Sequence, residues 1–274
     1  MPDQKFTLTL NSHSLSYFQQ CEAQYQYSTV FSIEKLGSKT KMDQGVLYAQ
    51  YLEAYYRNKI SPKRYLSGYL GNAPAWFNRI SKRLGYDNRD TKQLYGAMLD
   101  YTVHYQTESW VPLAIERGFS RIIYEDQHNR FIYEGRPDFV GLDCVGGSLI
   151  VSDHKTQGRK DSFYQHNNQA LGYLWNYKAK NFIYNYIVLL KTTEFRREVF
   201  TIQQNQIDSW RSDTIEWYFR VKDAMTKRTF LKSFNCQGRW SICPFTPICE
   251  RPTEEQKLYT IQAQFKKRIP YRSW

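Results

Sequence analysis

RFIYEGRPDFVGLDCVGGSLIVSDHK, residues 130–155, is the stretch from which the fold can be read. Two apolar-rich runs flank Cys144-Val145-Gly146-Gly147, and a Gly-Gly pair in that setting marks the turn of an antiparallel hairpin. Folded symmetrically about Val145 and Gly146, the two runs put Asp138 directly opposite Asp153. Directly opposed residues have Cβ atoms about 4.5–5.5 Å apart, close enough for two carboxylates to hold one cation. Side chains alternate faces along a strand, so Lys155 shares the face of Asp153. Two opposed acids form a candidate site for a hard cation, Mg²⁺ or Mn²⁺. Such a cation polarises a phosphoryl oxygen and activates water, while a nearby lysine stabilises developing negative charge.

Outward from the hairpin, helical and strand patterns alternate. Ser12-His13-Ser14 predicts a helix start running to about Tyr27, and a second helix is expected from Met42-Asp43 to Arg57. Residues 60–90, rich in Gly, Pro, Asn and basic residues, read as short helices and loops. A long amphipathic helix is expected from Lys92 to Arg117, ended by Gly118, and then a strand over Phe119–Glu125. Beyond Lys155, a helix capped by Asp161 or Ser162 is expected to reach about Lys180. Strands over Phe182–Leu190 and Arg196–Ile202 and a helix over Gln206–Met225 complete the core, before an irregular C-terminal segment. The economical architecture is α/β, a central mixed β-sheet flanked by helices. One domain is expected over 1–274, with its core at about 92–225. A helical N-terminal part (1–91) and a cysteine-bearing C-terminal part (226–274) pack together on it.

Composition narrows the partners. Thirty-eight Lys+Arg against 26 Asp+Glu leave a formal +12 spread along 274 residues, which favours polyanions, nucleic acid first. Arg159 and Lys160, directly after the hairpin, are candidate DNA contacts, as are Lys191, Arg196-Arg197 and Lys266-Lys267-Arg268. Asp3, Gln4 and Lys5 interrupt any N-terminal apolar region, and the apolar runs are too short to span a bilayer. A cytoplasmic protein with no membrane partner is expected, its five cysteines reduced, metal-bound or buried.

Gly135-Arg136-Pro137-Asp138 and Ile150-Val151-Ser152-Asp153-His154-Lys155-Thr156 resemble motifs II and III of the PD-(D/E)XK nuclease superfamily. The likeness is greatest to its RecB-like and CRISPR-associated exonuclease branch, also common in phages. In that branch a helix after the lysine carries Q-x-x-x-Y, and Gln169 and Tyr173 match it. The resemblance implies a restriction-endonuclease-like core and a metal-dependent DNA nuclease, most simply an exonuclease of repair, recombination or phage DNA processing. It implies Asp138 and Asp153 as metal ligands, Lys155 as the residue positioning water or stabilising charge, and Gln169 and Tyr173 as support. The setting would be a bacterial or phage-infected cell, with DNA and a recombination or replication protein as partners. An earlier helix of the branch carries G-x-x-x-H-x-x-L-E with a ligating histidine. Gly45, Leu52 and Glu53 fit that frame, but Ala49 stands where the histidine belongs. Alanine ligates nothing, so Glu53 or water is expected to complete the shell, with Glu116 as another candidate acid. The alternative is a catalytically weak or inactive nuclease-fold DNA-binding subunit. Digestion polarity, strand preference and oligomeric state have no signature here.

Cys21 near the N-terminus and Cys236, Cys243 and Cys249 near the C-terminus form a second constellation. Their gaps exceed the short spacing usual for zinc ligands, four thiolates suit an iron–sulfur cluster as well, and by residue type alone buried, unligated thiols are the better reading. Members of the resembling branch grip a [4Fe-4S] cluster with one early and three late cysteines, which implies that role for these four. Ser12 and Ser14 precede Cys21, and Pro244-Phe245 follows Cys243, as in that pattern. Cys144 lies in the hairpin turn, apart from this set.

Overall fold

A computed structural model describes residues 5–37, 40–60, 88–157, 167–189, 192–233, 236 and 242–268. In chain order the elements are β1 (Phe6–Asn11), α1 (Ser12–Gln20), α2 (Glu22–Tyr25), a π-turn (Gln26–Val30), β2 (Ile33–Lys35), α3 (Thr40–Ile60) and α4 (Asn88–His104). There follow β3 (Trp110–Ile115), β4 (Phe119–Glu125), β5 (Asn129–Gly135), β6 (Phe139–Asp143), β7 (Ser148–Gln157), α5 (Asn168–Tyr177), β8 (Asn181–Leu189) and β9 (Thr193–Thr201). The chain ends with α6 (Gln204–Lys227), α7 (Thr246–Cys249), α8 (Glu254–Gln264) and β10 (Phe265–Lys267). They form two compact units, one from Met1–Ser38, Ile122–Glu134 and Trp210–Trp274, the other from Lys39–Arg121 and Gly135–Ser209. No helix among the described residues is long and apolar enough to cross a membrane.

The second unit is built on a five-stranded mixed sheet, in the order β3-β6-β7-β8-β9. Only β7 and β8 run parallel, and a parallel pair needs a crossover, which α5 supplies. The hairpin register agrees with the turn symmetry: Phe139 pairs Ser152 and Asp143 pairs Ser148, so Asp138 and Asp153 stand just beyond the ladder's end. Gly147 closes the turn in the left-handed region (φ 64°), its N–H donating to Asp143 O at 2.7 Å. One sheet face packs on α3 and α4 through Phe139, Ile150, Ile183 and Ile187, which join Leu47, Leu52, Leu94 and Met98 in one buried cluster. The opposite face carries Phe182, on which Tyr173 of α5 packs.

In the first unit, β5 pairs parallel with β1 and β4 lies on its other side. The first arm expected for the hairpin is therefore divided between two sheets. Arg136-Pro137-Asp138 makes the break, because proline has no N–H to give to a ladder and restricts the residue before it. The long helix expected over Lys92–Arg117 is likewise corrected: α4 ends at His104 and β3 begins at Trp110. Pro112 is the physical reason. It would break a helix interior, but it is tolerated on an edge strand, beside the irregularity between Pro112 and Ala114.

Two further expectations change at the chain ends. The first helix starts one residue earlier, capped by Asn11, whose side chain accepts from His13 N and Ser14 N while Ser14 Oγ accepts from Asn11 N. It breaks at Cys21, which is extended (φ −166°). The C-terminal segment, expected to be irregular, contains α8, capped by Thr253, and β10, which pairs antiparallel with β2. Both chain ends thus meet in one unit.

Candidate active site

The sheet sets the site. Asp153 and Lys155 alternate with His154 on β7, so both project from the face that α5 covers. Asn167 caps that helix, its side chain accepting from Ala170 N at 2.9 Å, and this holds Gln169 in the first turn. Gln169 Nε2 donates to Asp153 Oδ1 at 2.7 Å, and Lys155 Nζ donates to Gln169 Oε1 at 3.2 Å. The amide thereby bridges the acid and the lysine. Lys155 also makes an ion pair with Asp153 Oδ2, a buried oxygen that accepts no aligned hydrogen bond. One turn along α5, Tyr173 OH lies 3.4 Å from Gln169 Nε2 and donates to Arg136 O at 3.0 Å. Gly135 makes room for this: a Cβ there would stand 2.5 Å from Tyr173 Cε1 and 2.9 Å from Phe119 Cζ. Burial pushes the Tyr173 phenol well up, so it stays protonated and can donate.

The acids gather at the end of the β6–β7 ladder. Asp138 is half-buried, and His154 N–H donates to its Oδ2 at 2.5 Å. Burial holds the Asp138 carboxyl well above the usual carboxylate range; Asp153 and Glu116 push it further, against His154 N–H and Lys155. Glu116 follows β3, its N–H donating to Asp138 O at 3.2 Å. It sits in the left-handed region (φ 50°), uncommon for a residue with a side chain. Its carboxyl and that of Asp138 act on each other, it pairs with Arg136 Nε at 3.0 Å, and its own pKa is raised, chiefly by burial. Acids that raise a neighbouring carboxyl's pKa are eased by a proton or a cation placed between them. Glu53, on α3, acts on Glu116 through its charge but is itself held by Arg57 at 2.7 Å. Among the described residues, no three His, Cys, Asp or Glu side chains already converge on one point as ligands of a single ion. The donor chemistry nevertheless suits a hard divalent cation: all-oxygen, acid-rich and under mutual repulsion.

Arg159 and Lys160 lie outside the described residues, as does Lys191. Arg197, grouped by sequence with the basic surface, is instead largely buried. Its guanidinium lies 3.6 Å from the ring centres of both Tyr105 and Trp110 and pairs with Glu108 Oε2 at 2.5 Å. A run of two arginines cannot reveal that alternation along β9 sends the second one inward. Sequence reasoning also passed over Arg136, Gly135 and Glu108, whose roles arise from residues far away in the chain. Only the residues preceding Asp138 hinted at the first two.

In the first unit, Cys21, Cys243 and Cys249 pack against the apolar cluster of Ala23, Tyr27, Ile33, Phe245, Ile248 and Phe265. Cys243 N donates to Cys236 O at 2.8 Å, and Cys21 Sγ approaches Leu231 O at 3.9 Å. Burial raises the Cys249 thiol, and Cys21, Cys243 and Cys236 raise it further against Lys232. All four thiols therefore share one neighbourhood. Cys144 is exposed, in the other unit.

The model of the PD-(D/E)XK nuclease superfamily matches residues 9–250. The chain belongs to that superfamily. Its five-stranded mixed sheet flanked by helices is the superfamily's restriction-endonuclease-like fold, and a nucleic acid is the substrate the fold implies. No curated protein matches. Among solved structures, a Eubacterium rectale protein provisionally named an exonuclease is similar at TM-score 0.47 and 12% identity, over 91% of this chain and 92% of that one. The protein SSO0001 is similar at TM-score 0.34 and 17% identity, over 64% of this chain and 80% of its own. Both scores are low, and membership rests on the family match.

Proposed function

We propose that this superfamily member is a metal-dependent deoxyribonuclease, an exonuclease hydrolysing phosphodiester bonds in DNA repair, recombination or phage DNA processing. The observation that carries it is the Lys155–Gln169–Asp153 bridge, with Asp138 and Glu116 as neighbouring acids. Asp138, Asp153 and Glu116 would hold Mg²⁺ or Mn²⁺; Glu53, engaged by Arg57, is the weaker candidate. A bound cation supplies Lewis-acid polarisation of the phosphoryl oxygen and a more acidic water. Lys155 brings its ammonium to the charge that develops on the phosphoryl group, Gln169 keeps that ammonium beside Asp153, and Tyr173 holds Gln169 in place. Arg159 and Lys160 are assigned to the DNA backbone. DNA is the partner, with a recombination or replication protein as its class of protein partner. Asp153→Ala and Lys155→Ala are each expected to lower DNA hydrolysis with Mn²⁺ by about 10²–10³-fold, with DNA binding retained. Undiminished hydrolysis in either variant would sink the mechanism.

A second reading is a nuclease fold that binds DNA without turnover, and Ala49 favours it. Tight DNA binding with no cleavage under any divalent cation would select it.

The four cysteines support a [4Fe-4S] cluster as a second cofactor, structural in role. In such a cluster each thiolate binds a different iron, a wider arrangement than four ligands round one ion. Protein purified without oxygen is expected to be brown, with about four iron atoms per chain, and Cys249→Ser to lose colour and stability together. A colourless preparation holding stoichiometric zinc would refute the assignment.

A further inference from the structure

His154 stands between Asp153 and Lys155, and its side chain points to the opposite face of the sheet, where the nuclease mechanism does not use it. There it opens a polar row through an otherwise apolar layer. The ladders pair His154 with Asn185 and Asn185 with Arg197, so the three lie abreast on β7, β8 and β9. Arg197 Nε donates to Asn185 Oδ1 at 3.4 Å, and a guanidinium can only donate, which turns the amide nitrogen of Asn185 the other way. That nitrogen donates to Tyr101 OH at 2.7 Å and lies 2.9 Å from His154 Nδ1. Nδ1 is therefore the acceptor, and the proton of the neutral ring is on Nε2. The ring also stacks on Tyr56, 5.8 Å between centres and 5° between planes. At the far end Arg197 is clamped by Glu108, Tyr105 and Trp110, and Glu108 takes a second cation, Lys59, at 2.5 Å.

An apolar side chain at 154 would fill this layer at less cost than a row of buried polar groups. The polar row adds geometry: each bond in it is satisfied in one strand register only, and a slip by one residue would send Asp153 and Lys155 to the wrong face. His154 is also the residue whose backbone N–H holds Asp138. One residue thus joins both acids and the lysine to a fixed point in the core. We propose that His154, anchored through Asn185 to the Arg197–Glu108 pair, is a positioning residue that sets where Asp138, Asp153 and Lys155 stand for hydrolysis. This rests on the nuclease reading above.

The test is steady-state DNA hydrolysis with Mn²⁺ by the full chain, with thermal unfolding of each variant measured alongside. His154→Leu, close in volume but unable to join the row, leaves one buried N–H of Asn185 without its acceptor and is expected to melt somewhat earlier than wild type while still folding. Its kcat should fall about tenfold or more with KM within about twofold, the signature of misplaced reacting groups. His154→Asn, which offers an acceptor oxygen, is expected to recover part of the lost kcat. Asn185→Ala, which leaves His154 in place without its partner, should show the same split, and it decides the matter should the Leu variant not fold. A wild-type kcat per folded molecule in these variants, with only the melting temperature lowered, would overturn the inference alone. Failure of the wild type itself to cleave would overturn the nuclease reading, and the inference with it.

Discussion

Asp138→Asn is expected to abolish hydrolysis and at the same time make the metal-free protein more stable. Asp138 is half-buried beside Asp153 and Glu116, and its carboxyl is pushed well above the usual range by loss of water around it first and those acids second. A carboxyl whose pKa is raised by folding binds its proton more tightly in the folded chain. Stability is therefore lost as pH rises from the unfolded value, about 4, through the raised folded value, and the loss persists at neutral pH. Asparagine keeps an oxygen to accept from His154 N–H and adds an amide that can donate to Glu116, so no buried group is stranded. A gain of about 1–2 kcal/mol at neutral pH is expected, shrinking as the pH is lowered toward 4. The same change removes an anionic oxygen from the proposed cation site, and hydrolysis should drop by about 10³-fold. Mn²⁺ should raise the melting temperature of the wild type with the logarithm of its concentration above Kd, and raise that of the variant little. Calorimetry with and without Mn²⁺ checks each part. A variant less stable than wild type, or one that still hydrolyses DNA at the wild-type rate, would refute the account.

Glu108→Ala is expected to be the most destabilising single change in the second unit. Its carboxylate is almost fully buried, at 3% exposure, and meets two cations, Lys59 on one oxygen and Arg197 on the other. Tyr56 OH lies 3.4 Å from the same oxygen as Arg197. Removing one partner of a buried ion pair leaves the other charge uncompensated, at a cost of about 3–5 kcal/mol. Arg197, held between Tyr105 and Trp110, keeps only 15% of its side chain exposed. The melting temperature should fall on the order of 10 °C, at 2–4 °C per kcal/mol for a chain of this size. Replacing both members together, Glu108→Leu with Arg197→Met, removes the stranded charge and should recover most of the loss. Denaturant unfolding of the two variants decides it: a single variant within about 1 kcal/mol of wild type would mean the pair is solvated.

Legibility in the sequence followed the range of the physics. The hairpin register could be read because turn symmetry, strand alternation and a Gly-Gly pair are all local, and the β6–β7 ladder has that register. Gln169 and Tyr173 could be placed together because four residues along a helix return to one face, and their side chains meet at 3.4 Å. The end of α4 was obscured because apolar spacing continues past His104, while Pro112 carried the decisive signal. Glu108 and Arg197 are 89 residues apart and meet only because α4, β3 and β9 pack on one sheet. The C-terminal helix and strand were hidden for a similar reason. Phe265–Lys267 is a strand only because Ile33–Lys35 offers it an edge.

By itself, then, the sequence determined the superfamily, the hairpin that carries Asp138 and Asp153 and the residue types beside them, because these depend on spacings of a few residues. Tertiary structure alone decided which acid stands beside Asp138, what anchors β7 from behind, and that cysteines from both chain ends share one apolar neighbourhood. Each of those outcomes depends on burial and on long-range pairing, which bring together groups whose separation along the chain carries no periodic signal.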